Sequence, residues 1–90
     1  MHKATKRFWE CYENLSPTVQ TLAKKNFEIL KSNPAHPSLH FKKVATFWSA
    51  RVGGNYRALA YKDDDDFIWV WIGSHDEYEM MLSQQTRSIQ

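Results

Sequence analysis

The sequence has a single cysteine, Cys11, so no disulfide can form within the chain, and a zinc site of the usual multi-cysteine kind is excluded. No apolar run approaches the roughly 20 residues that span a bilayer. The basic start, Met1 to Arg7, leads into no hydrophobic stretch of signal-peptide length. These absences imply a cytoplasmic protein with no membrane partner. A strong charge is missing too. The net charge of +2 falls short of the excess that holds nucleic acid by electrostatics alone. The acids are also missing from one region: no Asp or Glu occurs from residue 39 to residue 62, where Lys42, Lys43, Arg51, Arg57 and Lys62 fall. They gather instead at Asp63 to Asp66 and at Asp76, Glu77 and Glu79, leaving a locally cationic segment on a nearly neutral chain.

Hydrophobic side chains are plentiful, at 42% of the sequence, with four Trp, four Tyr and five Phe. That composition folds rather than staying disordered. A chain of 90 residues buries only about 60 to 65% of its unfolded surface, so residues 1–90 are expected to form one domain with one core. There is no internal repeat and no linker.

Glycine and proline number three each, and both types mark boundaries. Phe8, Trp9, Tyr12 and Leu15 have the spacing of a short amphipathic helix, or of an extended lead-in that becomes one. Ser16 and Pro17 then form a cap and first helical position. Val19, Leu22, Ala23, Phe27 and Leu30 share one face of a helix that runs to about Ser32, where Asn33-Pro34 stops it. Residues 34 to 40 hold two prolines and form a loop. Phe47 to Val52 and Tyr56 to Lys62 are strands joined by Gly53-Gly54-Asn55. After a turn at Asp63 to Asp66, Phe67 to Ile72 is a strand apolar on both sides, with Phe67, Trp69 and Trp71 expected on one face and Ile68, Val70 and Ile72 on the other. Gly73 ends it, and Ser74 with Glu77 forms a capping box for a short C-terminal helix. The expected fold class is α+β: two N-terminal helices packed on a curled antiparallel meander, then a short helix. Trp69, Trp71, Ile68, Val70, Leu22 and Phe27 are expected in a single buried cluster.

Three stretches stand out: Pro34-Ala-His-Pro-Ser-Leu-His-Phe-Lys-Lys43, then Trp48-Ser-Ala-Arg-Val52 with Gly53-Gly54-Asn55 and Tyr56-Arg-Ala-Leu59, and finally Gly73-Ser74-His75 leading to Tyr78. Together they resemble the RelE/ParE toxin superfamily, the toxins of type II toxin–antitoxin systems. The matched region covers about residues 7 to 82. The resemblance implies a RelE-like fold and a cognate antitoxin protein that silences the toxin. It leaves the target open, because relatives include ribosome-dependent messenger RNA endoribonucleases, which repress translation, and poisons of DNA gyrase.

For the nuclease alternative, RNA cleavage by the ribose 2′-hydroxyl requires a proton acceptor, a proton donor and cations against the phosphoryl oxygens. The sequence has no metal-ligand cluster, and neither metal nor cofactor is expected. Arg57 matches the arginine that nuclease relatives use on phosphate, and a guanidinium fork suits two oxygens; a structural ion pair is the competing role. His75 follows the last strand where relatives place His or Arg, and its ordinary pKa near 6.5 suits proton transfer. Tyr78 shares its helical face and resembles the C-terminal tyrosine that stacks on a base or assists proton transfer, with packing on Trp71 as its alternative. Arg51, Lys42 and Lys43 are the RNA-binding candidates, with solvated surface as their alternative. His36 and His40 are read as ordering the loop, and the aspartate run as a solvated hairpin tip. The ribosome and mRNA are the implied partners on this alternative, DNA gyrase on the other. An antitoxin segment is expected on the open sheet face or beside the C-terminal helix.

Overall fold

The computed structural model describes residues 1–89, with side chains through residue 83. The chain opens extended, as β1 (His2–Ala4), because its backbone pairs in parallel with the strand later formed by Asp66–Ser74. Thr5 ends that pairing and starts α1 (Lys6–Glu13): its N–H and hydroxyl both donate to the Trp69 carbonyl, at 3.0 and 3.1 Å, while its Oγ1 accepts from the Phe8 N–H. Ser16 caps α2 (Pro17–Ser32) by accepting from Val19, with Pro17 in the first turn. Gln20 and Tyr12 exchange hydrogen bonds with each other's backbone carbonyls, which locks the two helices together. A short 3-10 turn (Pro37–Leu39) leads to β2 (Lys42–Val44), β3 (Phe47–Val52), β4 (Tyr56–Asp63) and β5 (Asp66–Ser74), followed by α3 (His75–Ile89).

The α+β expectation holds, with two additions. The sheet has five strands in the order β1-β5-β4-β3-β2, and it is mixed rather than a purely antiparallel meander, because β1 lies parallel to β5. Both extra strands are three residues long, too short for a period-two pattern to announce them. The last helix is 15 residues, not short. Placing β5 between β1 and β4 agrees with the expectation that a strand apolar on both sides lies inside the sheet.

The two indoles of β5 do not share a face. Leu59 pairs with Trp71 and Ala60 with Trp69, so Val70 is an extra residue, a β-bulge that shifts the strand by one. Trp69 therefore joins Leu30, Ala50, Val52 and Ile72 under α1 and α2, whereas Trp71 joins Leu59 and Tyr78 under α3. One expected cluster is thus two, on opposite sides of the sheet. Ile68 and Val70 are only half-buried. Leu22 and Phe27, expected in the core, are each 37% exposed. They sit on the part of α2 that lies beside a cavity of about 320 Å³ between the helices and the sheet. Phe27 is covered there by the His2 ring edge-on at 5.4 Å and by the Lys31 ammonium at 4.9 Å.

Two residues fix how this core responds to change. Gly73 leaves room for Trp71: a Cβ there would stand 2.4 Å from the indole Cζ2. His2 stacks near Phe67 and Trp69, and its Nδ1 accepts from the Trp69 indole N–H at 3.0 Å, which requires that nitrogen unprotonated. Burial, then the N-terminal ammonium and Lys31, lowers the His2 pKa below its ordinary value.

Trp69→Ala should cost about 3 to 5 kcal/mol in a denaturant melt, and Gly73→Ala about 1 to 3 kcal/mol by crowding Trp71. A midpoint unchanged by either would refute the packing just described. For His2 the folded state favours the neutral ring, so the unfolded chain binds more protons. That contribution is fully present above pH ~6.5 and is lost as the pH falls through the lower folded value. Melts between pH 7.5 and 5 should show a fall that His2→Phe, which cannot titrate, reduces.

Candidate active site

The side of the sheet that carries α3 holds a second, polar cavity of about 220 Å³. The sheet register builds its floor. Across the Gly53-Gly54-Asn55 turn, in which Gly53 takes a left-handed φ of +61°, Val52 pairs with Tyr56 and Arg51 pairs with Arg57. Directly opposed residues of an antiparallel pair point to the same side, so the two arginines whose relative facing the sequence left open lie next to each other. Ser49, two residues before Arg51, is buried on that side at 3% exposure, and its partner Lys42 lines the cavity with it. Lys43 pairs with Trp48 instead and lies outside the cavity.

The wall is the start of α3. The His75 N–H donates to the Asn55 carbonyl at 2.7 Å, which ties the helix to the arginine hairpin. Ser74 and Glu77 cap each other as expected, with Ser74 Oγ accepting from the Glu77 N–H and the Ser74 N–H donating to the Glu77 carboxylate. Tyr78 packs against Trp71 and Leu59 at 7% exposure, so most of its ring belongs to the core, with the Arg57 guanidinium 6.0 Å from its centre. His75 Nε2 meets Glu79 Oε1 at 3.2 Å, one helical turn on.

The arginines are held differently. Arg57 Nη1 donates back to the Tyr56 carbonyl at 2.8 Å and more distantly to Gly54 at 3.4 Å. Burial, then the neighbouring Arg51, pulls its pKa below the ordinary arginine value, while Tyr78 and Glu79 pull the other way. A guanidinium remains charged throughout. Asn26 of α2 fixes Arg51 from behind by donating to its carbonyl at 3.0 Å. Arg51 Nε is buried and has no hydrogen-bond partner among the described residues. Neither arginine has a carboxylate ion pair there, so the structural-pair alternative for Arg57 is not realised among these residues. Two adjacent cations, one with an orphaned donor, suit an oxyanion that two guanidinium forks can share.

The sequence placed Arg51, Arg57, His75, Tyr78, Lys42 and Lys43 in one site, and the fold brings the first five together but leaves Lys43 outside the cavity. It missed His40, which lines the same cavity. Spacing to Lys42 carries no such signal, because His40 is not extended: its backbone takes a left-handed φ of 43° and ψ of 43°. His36 does order its loop: Nδ1 accepts from the Ser38 N–H and meets the Ser38 hydroxyl at 2.8 Å. Among the described residues no group of three or more His, Cys, Asp or Glu could hold a metal, and no helix is long and apolar enough to cross a membrane. The larger, apolar cavity contains one imidazole, His2, already engaged by Trp69.

Comparison with solved structures decides the fold. The RelB–RelE antitoxin–toxin complex from Methanococcus jannaschii is similar with a TM-score of 0.68 at 19% identity, over 88% of this chain and 96% of that one. This chain has the RelE toxin fold. YafQ from E. coli superposes with a TM-score of 0.65 at 12% identity, over 87% of this chain and 96% of its own. The YoeB/ParE toxin from Agrobacterium tumefaciens gives 0.63 at 14% identity, over 82% and 96%. No protein-family model matches the sequence, and no curated protein matches it. The RelE fold therefore persists here at identities where the polar side chains, not the backbone, must be judged one by one.

If Arg57 serves an anion rather than the fold, Arg57→Ala removes a like-charged neighbour of Arg51 and should leave the thermal midpoint unchanged or slightly raised at low salt. Added inorganic phosphate should raise the midpoint of the native protein more than that of the variant. A loss of more than about 1 kcal/mol in the variant would make Arg57 a structural residue.

Proposed function

We propose that this protein is the toxin of a type II toxin–antitoxin system, silenced by a cognate antitoxin, and that it arrests translation by cleaving messenger RNA on the ribosome. The observation that carries the reading is the Arg51–Arg57 pair, two guanidinium groups side by side with a buried Nε that has no partner among the described residues, and an imidazole within the same cavity. Phosphodiester cleavage by the 2′-hydroxyl needs that set: cations where charge builds on the phosphoryl oxygens and a group able to move a proton near neutral pH. Arg57 and Arg51 hold the scissile phosphate, His75 transfers a proton, and Tyr78 orients the neighbouring nucleotide with the exposed edge of its ring. Lys42 takes a flanking phosphate; Lys43, on the other side, contributes only general attraction. The RelB–RelE structure from Methanococcus jannaschii is by its own description an antitoxin–toxin complex, which supports an antitoxin as partner here. The place of action is the cytoplasm, where ribosomes and mRNA are found.

Arg57→Ala and His75→Gln should each abolish growth arrest while leaving folding and antitoxin binding intact. On programmed ribosomes the first should lower cleavage by about 10² to 10³-fold, as for loss of a transition-state stabiliser. The second should lower it by about 10² to 10⁴-fold, because glutamine keeps a hydrogen bond but cannot exchange a proton. RNA-end mapping in expressing cells checks the target. Cleavage within codons supports the reading, whereas a relaxed reporter plasmid with intact mRNA would replace it with a gyrase poison.

A further inference from the structure

We infer that the apolar cavity between α1, α2 and the sheet is a binding site for a small amphiphilic anion, a carboxylate on an unbranched alkyl tail. Its volume of about 320 Å³ falls within the range of about 300 to 1,000 Å³ that small-ligand sites occupy. It lies among the side chains under α1 and α2, on the side of the sheet away from α3 and the polar cavity.

Small residues create the space. Ala50 and Ala58 pair directly across β3 and β4, at 5% and 6% exposure, and Ala23 of α2 borders the same cavity. Larger side chains at these positions would close the gap between helix and sheet; three methyl groups leave it open. The inner end reaches Leu39 and Leu30, at 1% and 3% exposure, so it is part of the core. The mouth is different. Two of its bordering rings, Trp9 and Phe27, are 50% and 37% exposed, which leaves apolar surface facing water that a ligand would cover.

The polar groups along the wall define the chemistry of the tail. The Trp69 indole N–H donates to His2, the Tyr12 hydroxyl to the Gln20 carbonyl and the Asn26 amide to the Arg51 carbonyl. These donors are spent within the protein, so a ligand body with polar groups would bury them unmatched, at a cost that hydrocarbon does not incur. A partner's helix, about 10 to 12 Å across, could insert only single side chains into such a volume, whereas an alkyl tail enters whole.

Charge defines the head. No Asp or Glu borders the cavity, but Lys3 and Lys24 do. Asp66 already engages Lys3 at 3.3 Å. Lys24 is exposed and forms no ion pair among the described residues. The tail therefore lies over the alanines and the carboxylate stands at the mouth beside Lys24.

The test titrates decanoate, below the concentration at which it forms micelles, into the full chain with labelled alanine methyl groups read by NMR. The signals of Ala23, Ala50 and Ala58 should move saturably, while Ala35 and Ala45, which do not border the cavity, stay in place. Affinity should rise about threefold to fourfold for each CH₂ added from hexanoate to decanoate. Ala23→Leu keeps a good helix former and adds bulk to the wall, so it should end that rise before decanoate. Lys24→Glu, at an exposed position, should keep the fold and weaken decanoate about three- to tenfold while leaving decanol within about twofold. Should Ala23→Leu fail to fold, the alanine signals and the Lys24 variant decide.

Cavity methyls that do not move at the highest concentration below micelle formation overturn the proposal. So does a Lys24→Glu effect on decanoate of less than about twofold, because the carboxylate would then be unrecognised. Movement of the same methyls when the protein alone is concentrated would make this surface an interface between copies. Movement with an acidic amphipathic peptide but not with decanoate would make it a peptide groove. Either result overturns the assignment of a small anion.

Discussion

The extra residue that Val70 inserts into β5 decides what each side of the sheet can be. Without it, Trp69 and Trp71 would both lie under α1 and α2, and the α3 side would lack the indole against which Tyr78 packs. With it, the strand changes phase: Trp69 and Ile72 serve the helix-covered core, and Trp71 crosses to the other side. Gly73, opposite Arg57, completes the arrangement, since the space a Cβ would fill is taken by the Trp71 ring. Behind the site, therefore, an indole lies across a glycine, with a guanidinium on the neighbouring strand. A bulge bends its strand and increases the local twist. Here it also supplies a rigid apolar support for a polar site, the kind of backing that holds charged side chains in fixed geometry.

The arginine pair is the least comfortable feature of the fold and the most informative. Like charges directly opposite on neighbouring strands destabilise a sheet, and the lowered pKa of Arg57 reflects burial and Arg51 together. Nothing in the packing requires both cations. The surroundings nonetheless hold them firmly, Asn26 fixing Arg51 through its carbonyl and Tyr56 fixing the Arg57 guanidinium. A short hydrogen bond from His75 to Asn55 ties the helix that carries the imidazole to the same hairpin. Local energy is given up at Arg51 and Arg57, and elements from α2 to α3 converge to maintain the result, which is the pattern expected of a preorganised anion site.

Much of this was legible in the sequence because local signals agreed with one another. Ser16-Pro17 and Asn33-Pro34 bounded α2, the Gly53-Gly54-Asn55 turn set the β3–β4 hairpin, and the Ser74–Glu77 box started α3. What escaped was non-local. β1 forms because its backbone finds β5, more than sixty residues away, and three residues cannot declare such pairing. The bulge depends on how two strands meet, so strict alternation misassigned Trp71. Leu22 and Phe27 fit a helical face by spacing, but how deeply that face sinks depends on the sheet beneath it, and both remain at the rim. In the site, Arg51, Arg57, His75, Tyr78 and Lys42, matched by type and order, do meet in one cavity, whereas Lys43 falls outside it and His40 was discounted for lying in a proline-containing loop. Its left-handed backbone, which turns it toward the cavity, leaves no trace in residue type.

Charge explains how a site of this kind can operate on a nearly neutral protein. Affinity for a polyanion grows with the number of phosphates neutralised, and this surface offers few cations in one place: Lys42, Arg51 and Arg57 at the site, with Glu79 among them. The aspartate hairpin is occupied elsewhere, Asp66 pairing with Lys3 and with the N-terminal ammonium at 3.3 Å each, so its acidity reinforces the β1–β5 edge. Free RNA would bind such a surface weakly. On the reading proposed above, that weakness fits the substrate, because a messenger threaded through the ribosome is already extended and held. The protein then needs cations only where negative charge develops at the scissile phosphate. Glu79 fits the same logic: a carboxylate beside the phosphate opposes binding in general, but this one stands 3.2 Å from His75 Nε2 and on that reading orients the imidazole that must move the proton.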